Sequence, residues 1–287
     1  MTGTPTPDGA SSRGGPVVLI RGGGDLATGV AARLWRAGMA VAVTEIARPL
    51  AIRRLVALAE AIYAGEVRVE DLVGIRVASL EQARRSLAQH RIPVLVDPQA
   101  ACRHDLQPDV LVDARMRKMA PEFGTEAASL VVGLGPGFTA GIDCHAVVET
   151  RRGHHLGRVL WQGPSEPDTG VPEPVGGHAY DRVLRAPADG ELSEGVRLGA
   201  RVSTGMLLAR VGTNVLQAPF DGVLRGLLHD GLEVRRGQKV GDVDPRGESS
   251  FCYEISDKAL AVGGGVLEAV LSRPELRRLL GAGNATA

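Results

Sequence analysis

Two glycine-rich runs carry residue types with recognisable chemistry. The first, Arg21-Gly-Gly-Gly-Asp-Leu-Ala27, has the spacing Gly22-x-Gly24-x-x-Ala27. In a dinucleotide fingerprint the first glycine permits a tight turn, the second lets backbone amides approach a pyrophosphate, and a small third residue lets helix and strand pack closely. Gly23 would add an amide, Arg21 a full charge, and the helix N-terminus a partial one. Glu45 follows at the distance from which an acid accepts hydrogen bonds from ribose hydroxyls. The competing reading is a turn that binds nothing, with Asp25 capping its helix and repelling phosphate. The second run, Val132-Gly-Leu-Gly-Pro-Gly-Phe-Thr-Ala-Gly141, offers amides at Gly133, Gly135 and Gly137 beside Thr139. They form an anion nest if they point one way and a closed Ω-loop if they do not.

Polar groups crowd the next stretch: Asp143, Cys144, His145, Glu149, Arg151, Arg152 and Arg158. On a strand, Asp143, His145 and Glu149 share one face. The catalytic candidates are Asp143 and His145 as acid and base, and Cys144 as a thiolate. No metal is expected, because HxH and HExxH spacings are absent and arginines suit an anion better than a cation. Arg158 joins the anion-binding candidates. Whether any reaction is catalysed stays open at this level.

Elements must hold these groups in place. Residues 16–20 form a continuous apolar run of the kind buried on both faces of a parallel sheet. Leu26, Val30, Leu34 and Ala37 then recur at helical spacing, and a strand is expected at 40–44. Helices at 49–64 and 80–89 and strands at 74–77, 93–96 and 109–113 continue the alternation. This predicts an α/β Rossmann-like doubly wound domain. Further on, Ala186-Pro-Ala-Asp-Gly190 recurs as Ala218-Pro-Phe-Asp-Gly222, each followed at equal offsets by two more glycines. The duplication predicts short strands forming half-barrels around a shared core. The expected organisation is a disordered tail (1–15), a nucleotide-binding domain (16–162), a linker (163–179), a β barrel (180–247), and a glycine loop with a terminal helix (248–287).

Composition narrows the classes. The 287 residues contain 33 basic and 33 acidic side chains and only nine aromatics, which disfavours a nucleic-acid platform. No stretch is apolar enough to span a bilayer, so no membrane partner is expected. Three widely spaced cysteines fit a reducing compartment, and the expected location is cytoplasmic.

The repeat resembles the biotinyl/lipoyl hammerhead family. The segment Val211-Gly-Thr-Asn-Val-Leu-Gln217 between the copies lacks that family's acceptor lysine, so neither biotin nor lipoate is expected. The run of motifs Ile20-Arg-Gly-Gly-Gly-Asp-Leu-Ala-Thr-Gly29, Val96-Asp97-Pro98, Gly133 to Gly141, Glu149-Thr150, Gly157-Arg158, Gly222 to Gly226 and Gly263-Gly-Gly-Val-Leu-Glu268 resembles the selenium-dependent molybdenum hydroxylase system proteins. That family is distantly like the xanthine dehydrogenase accessory factors. The resemblance implies an accessory protein that matures a molybdenum hydroxylase client while holding a nucleotide or molybdopterin cofactor. Two alternatives stand beside it: an NAD(P)-dependent oxidoreductase, and a non-catalytic docking module for the client.

Overall fold

The computed structural model describes residues 15–116, 121–168, 170 and 175–282. The chain begins with β1 (Val17–Arg21), α1 (Asp25–Arg36) and β2 (Ala40–Glu45). The helix expected over 49–64 is broken into 3-10 turns at Arg54–Val56 and Leu58–Glu60 and a single helical turn, α2 (Ala61–Ala64). Tertiary packing explains the break. The Ile52 carbonyl accepts a hydrogen bond from Leu227 N at 3.0 Å, and Ile52 and Leu55 pack on the β-rich core. A regular helix would turn those groups inward on itself.

Next come β3 (Glu66–Val69), β4 (Leu72–Val77), α3 (Leu80–Ala88), β5 (Ile92–Val96), α4 (Arg103–Leu106), β6 (Val110–Asp113), β7 (Leu130–Leu134), β8 (Thr139–Ala140), β9 (Ala146–Val148), β10 (Val159–Leu160) and β11 (Gly163–Pro164). Nine of these strands form one sheet in the order β10-β9-β7-β6-β1-β2-β5-β4-β3. This corrects the expected Rossmann-like doubly wound sheet: the sheet is mixed. Its interior pairs are parallel, but β3–β4 and β9–β10 at its edges are antiparallel. Only Glu70 and Asp71 join β3 to β4, and a two-residue link can connect only antiparallel neighbours.

The remainder comprises β12 (Val183–Arg185), β13 (Gly190–Ser193), β14 (Arg201–Val202), β15 (Leu207–Val211), β16 (Asn214–Gln217), β17 (Gly222–Leu227), β18 (Glu233–Val234) and β19 (Lys239–Asp244), then α5 (Asp257–Leu271) and α6 (Pro274–Ala282). The expected hammerhead barrel is also corrected. The duplicated segment forms two four-stranded antiparallel sheets, β12-β19-β17-β14 and β16-β15-β13-β18, each drawing strands from both copies. Their shared core includes Leu192, Leu208, Leu224 and Val243, and Ile52 and Leu55 reach it from the other half of the chain.

The expected glycine loop before the last helix is absent as well. Gly263, Gly264 and Gly265 lie inside α5, which packs along α1. A Cβ on Gly263 would fall 2.4 Å from the Gly29 carbonyl oxygen, so the glycines serve close helix contact. None of the helices among the described residues is long and apolar enough to cross a membrane.

Candidate functional site

The glycine turn after β1 spends part of its hydrogen-bonding capacity on the chain itself. Gly23 N donates to Glu45 Oε2 at 2.7 Å, and Ile46 N donates to Glu45 Oε1 at 2.8 Å. A carboxylate therefore takes the amide that a pyrophosphate would need. The Gly23 carbonyl accepts from Ala59 N at 2.8 Å, and a Cβ on Gly23 would sit 2.8 Å from that same nitrogen. The need for glycine there is one of packing. Gly22 has φ +93, a left-handed conformation suited to glycine. Gly24 faces open space and Ala27 is buried against the core.

Arg21 does not reach a ligand. Its side chain is 1% exposed and donates from Nε and one terminal nitrogen to the Pro98 carbonyl. Its other terminal nitrogen meets Glu122 at 2.8 Å and Asp113 at 3.7 Å. Burial, followed by the nearby charge of Arg115, lowers its pKa.

The second glycine loop is closed on itself. Gly135 N bonds the Val148 carbonyl at 2.9 Å, and Thr139 N bonds Asp143 Oδ2 at 2.7 Å. Cβ atoms on Gly133 and Gly135 would collide with Phe138 and Thr150, and Gly137 has φ +104. His145 Nδ1 accepts from Val131 N at 2.9 Å, and burial lowers the pKa of the ring. Cys144 is fully buried, its thiol pushed up to about 11 by desolvation, and it donates to the Ala146 carbonyl. A thiol so hidden and protonated is no nucleophile. Asp143, Cys144 and His145 thus form a structural knot, and the exposed Arg158 lines neither of the two recesses in this structure. Among the described residues no group of three or more His, Cys, Asp or Glu side chains is placed to share a metal ion.

The open site lies between the nine-stranded sheet and the duplicated sheets. A cleft of about 630 Å³ is lined by Arg53, Arg151, Arg152, Arg182, Arg185, Arg225, Lys239 and Lys258 against Asp25, Glu166, Asp168 and Asp242. Eight cations line the cleft beside four carboxylates, and Asp244 and Asp257 reach Arg225 and Arg152 from outside that lining, so a cationic excess remains local in a chain of zero net charge. The first turns of α1 and α5 also border the cleft, through Asp25 and Leu26 and through Lys258. Helix N-termini favour negative charge.

Several cations are held by their own partners. Arg53 meets Asp25 at 3.2 Å and donates to the Phe251 and Glu254 carbonyls. Arg182 pairs with Asp242 at 2.7 Å, Arg151 with Glu166 at 2.8 Å, and Arg152 with Asp257 at 2.6 Å. Arg152 holds the Asp257 carboxyl down at about 2. Glu149, 1% exposed, shapes this wall by accepting from the backbone nitrogens of Arg151 and Glu166.

Arg225 is buried yet weakly compensated. Its side chain is 13% exposed and reaches Asp244 at only 3.4 Å, while Asp244 is held more closely by Arg246 at 2.6 Å. Burial lowers the Arg225 pKa, and the neighbouring charge of Arg53 lowers it further. The Nε–H groups of both Arg53 and Arg225 are buried without an acceptor. Sequence reasoning missed Arg53, Arg182, Arg185, Arg225 and Lys239. One signal was present: Arg225 interrupts the otherwise apolar strand Gly222-Val-Leu-Arg-Gly-Leu227.

Beside this cleft lies a second recess of about 560 Å³, lined by Gly22, Gly24, Ala27, Glu45, Ile46, Leu50, Ala51, Ile52, Ala114, Arg115 and Met116. It shares Asp25, Leu26, Arg53, Met116 and Lys239 with the first.

No protein-family model matches the chain. The chain is 45% identical over 258 residues to YqeB of Escherichia coli (strain K12), described as an uncharacterized protein. The match covers 90% of this chain and 48% of YqeB, so the chain spans about half the length of the curated relative it matches. Among solved structures, it is similar to the product-bound ectoine utilization protein EutE (DoeB) from Ruegeria pomeroyi, at 15% identity and TM-score 0.24 over 80% of this chain and 85% of that one. It is also similar to a succinylglutamate desuccinylase/aspartoacylase from Rhodobacter sphaeroides, at 16% identity and TM-score 0.25 over the same shares. A likeness at these TM-scores carries neither fold nor activity to this chain.

None of the descriptions of these proteins names a molybdenum hydroxylase maturation factor, and the expected membership of the selenium-dependent molybdenum hydroxylase system proteins is not borne out by the comparisons. The expected maturation role and the NAD(P)-dependent oxidoreductase are likewise not borne out. The physical reason lies in the motifs themselves. They are largely glycine turns whose composition answers to close packing and positive φ, as at Gly135, and such needs arise in unrelated proteins.

Proposed function

We propose that the chain binds a small multiply charged anion in the arginine-lined cleft. The observation that carries this reading is the buried, under-compensated guanidinium of Arg225 beside Arg53, within a wall of eight cations facing four carboxylates. Two buried like charges repel, and an anion between their neighbours relieves that repulsion while giving arginines the paired hydrogen bonds that carboxylates and phosphates accept. Clefts of this size and wall chemistry suit a small-molecule ligand. The three free, buried cysteines fit a cytoplasmic setting.

Calorimetric titration with inorganic pyrophosphate, with succinate as the carboxylate arm, tests the reading. Binding of either is expected to weaken steeply with added salt. In the Arg225→Met variant affinity should fall at least tenfold while the thermal transition stays near that of the parent, because Asp244 keeps Arg246 as its partner. Unchanged affinity in a folded Arg225→Met protein would overturn the assignment.

A further inference from the structure

The recess beside the arginine cleft sits at a special place in the nine-stranded sheet. β1 is flanked by β2 on one side and β6 on the other, so the chain reverses its direction of winding between β1 and β6. The loops leaving the carboxyl ends of these two strands diverge there and open a crevice, the position at which open α/β sheets take ligands. Gly22, at the end of β1, and Ala114 to Met116, at the end of β6, line the recess.

Its chemistry differs from that of the cleft it joins. Ile46 and Leu50 stand 39% and 51% exposed at its wall. Exposed aliphatic side chains lining a concavity favour an apolar occupant. The carboxylates of Glu45 and Asp25 border the turn and disfavour an anion at this end, and Arg115, the cation of this wall, is already held by Asp113 and Glu122. The cations shared with the neighbouring cleft, Arg53 and Lys239, stand at the junction. A ligand therefore has only one favourable direction.

The geometry points to a bipartite ligand: an anionic head among the arginines, joined to an uncharged, largely apolar body seated in the β1/β6 crevice against Ile46 and Leu50. This rests on the anion-binding reading and adds the chemical class of what the anion is attached to. The apolar body excludes water from one side of the head, which strengthens the head's contacts with Arg53. Glu45, whose two oxygens are fixed by Gly23 N and Ile46 N, keeps lone pairs for a hydroxyl or amine on the body.

The test compares methyl phosphate with 1-naphthyl phosphate on the full chain by calorimetry at one ionic strength, with inorganic pyrophosphate as the reference for the arginine cleft. The naphthyl ester is expected to bind at least tenfold more tightly than the methyl ester. The double variant Ile46→Ser/Leu50→Ser should erase that advantage and leave pyrophosphate affinity unchanged; both side chains are exposed, so the fold should survive. Equal affinity for the two esters, or an advantage that persists in the double variant, would overturn the bipartite ligand and leave the anion cleft standing if pyrophosphate binds. Failure of pyrophosphate and both esters to bind would overturn both.

Discussion

The glycine turn after β1 and the arginine cleft meet at the N-terminus of α1, yet they are finished in opposite ways. In the turn the chain itself supplies key partners: Glu45 takes Gly23 N, and the Gly23 carbonyl takes Ala59 N. In the cleft the cations outnumber their carboxylates, and buried Nε–H groups on Arg53 and Arg225 are left without acceptors. Buried polar groups are almost always satisfied in folded proteins, and on the proposed reading a ligand supplies the partners that these two arginines lack. A motif with the right letters can spend its central amide on the chain's own carboxylate, and a site with no motif can leave guanidinium groups without acceptors.

The comparison breaks most visibly at Gly23. If the turn is a packing device, Gly23→Ala drives a Cβ to 2.8 Å from Ala59 N and should destabilise the chain by about 3 kcal/mol in urea unfolding. Stability near that of the parent would mean the turn has slack that the structure does not show. A smaller change, in binding only, belongs to the cleft: Arg225→Met should lose at least tenfold in pyrophosphate affinity, about 1.4 kcal/mol. Its unfolding free energy should move by less than this, since removing a buried charge that is poorly paired is close to neutral.

Glu122 sharpens the contrast from the satisfied side. Its hydrogen bond to Arg115, assisted by Arg21, lowers its pKa from 4.5 to about 2. A carboxylate lowered on folding contributes stability that is fully present above pH 4.5 and is lost as the pH falls towards 2. With a side chain 34% exposed, solvent screening reduces that contribution to about 1 kcal/mol. Glu122→Gln should remove it at neutral pH and flatten the acid limb of the stability profile, measured by unfolding across that range. An acid limb as steep as the parent's would place the titrating group elsewhere. The smallest effect is expected at Gly24, where a Cβ meets nothing within 4 Å and φ is −68. Gly24→Ala should shift stability by no more than about 0.5 kcal/mol and leave pyrophosphate affinity unchanged. A tenfold loss of affinity would return the ligand to the turn.

Local patterns were readable where a single segment decides its own conformation. The helix expected from the spacing of Leu26, Val30, Leu34 and Ala37 is found at Asp25–Arg36, and the strand expected at 40–44 at Ala40–Glu45. Apolar spacing, Gly38 after the helix and the short reach of each element suffice there. The prediction over 49–64 failed because Ile52 and Leu55 are recruited by strands 170 residues further along, a demand that no local window contains. The glycines at 263–265 were misread for the same reason: their partner is Gly29 on a distant helix.

The site divides in the same manner. Sequence by itself determined the positions of the turns, the duplication of the AP-x-DG segment and the set of available charges, because these follow from residue type and spacing along one chain. Tertiary structure decided which charges keep a partner and which face an open cleft. Arg21, beside the most suggestive motif, is buried under Pro98 and Glu122, whereas Arg53, Arg151, Arg185 and Arg225, far apart in the chain, converge on one cleft. Electrostatic compensation depends on distance in space, and only the folded chain sets those distances.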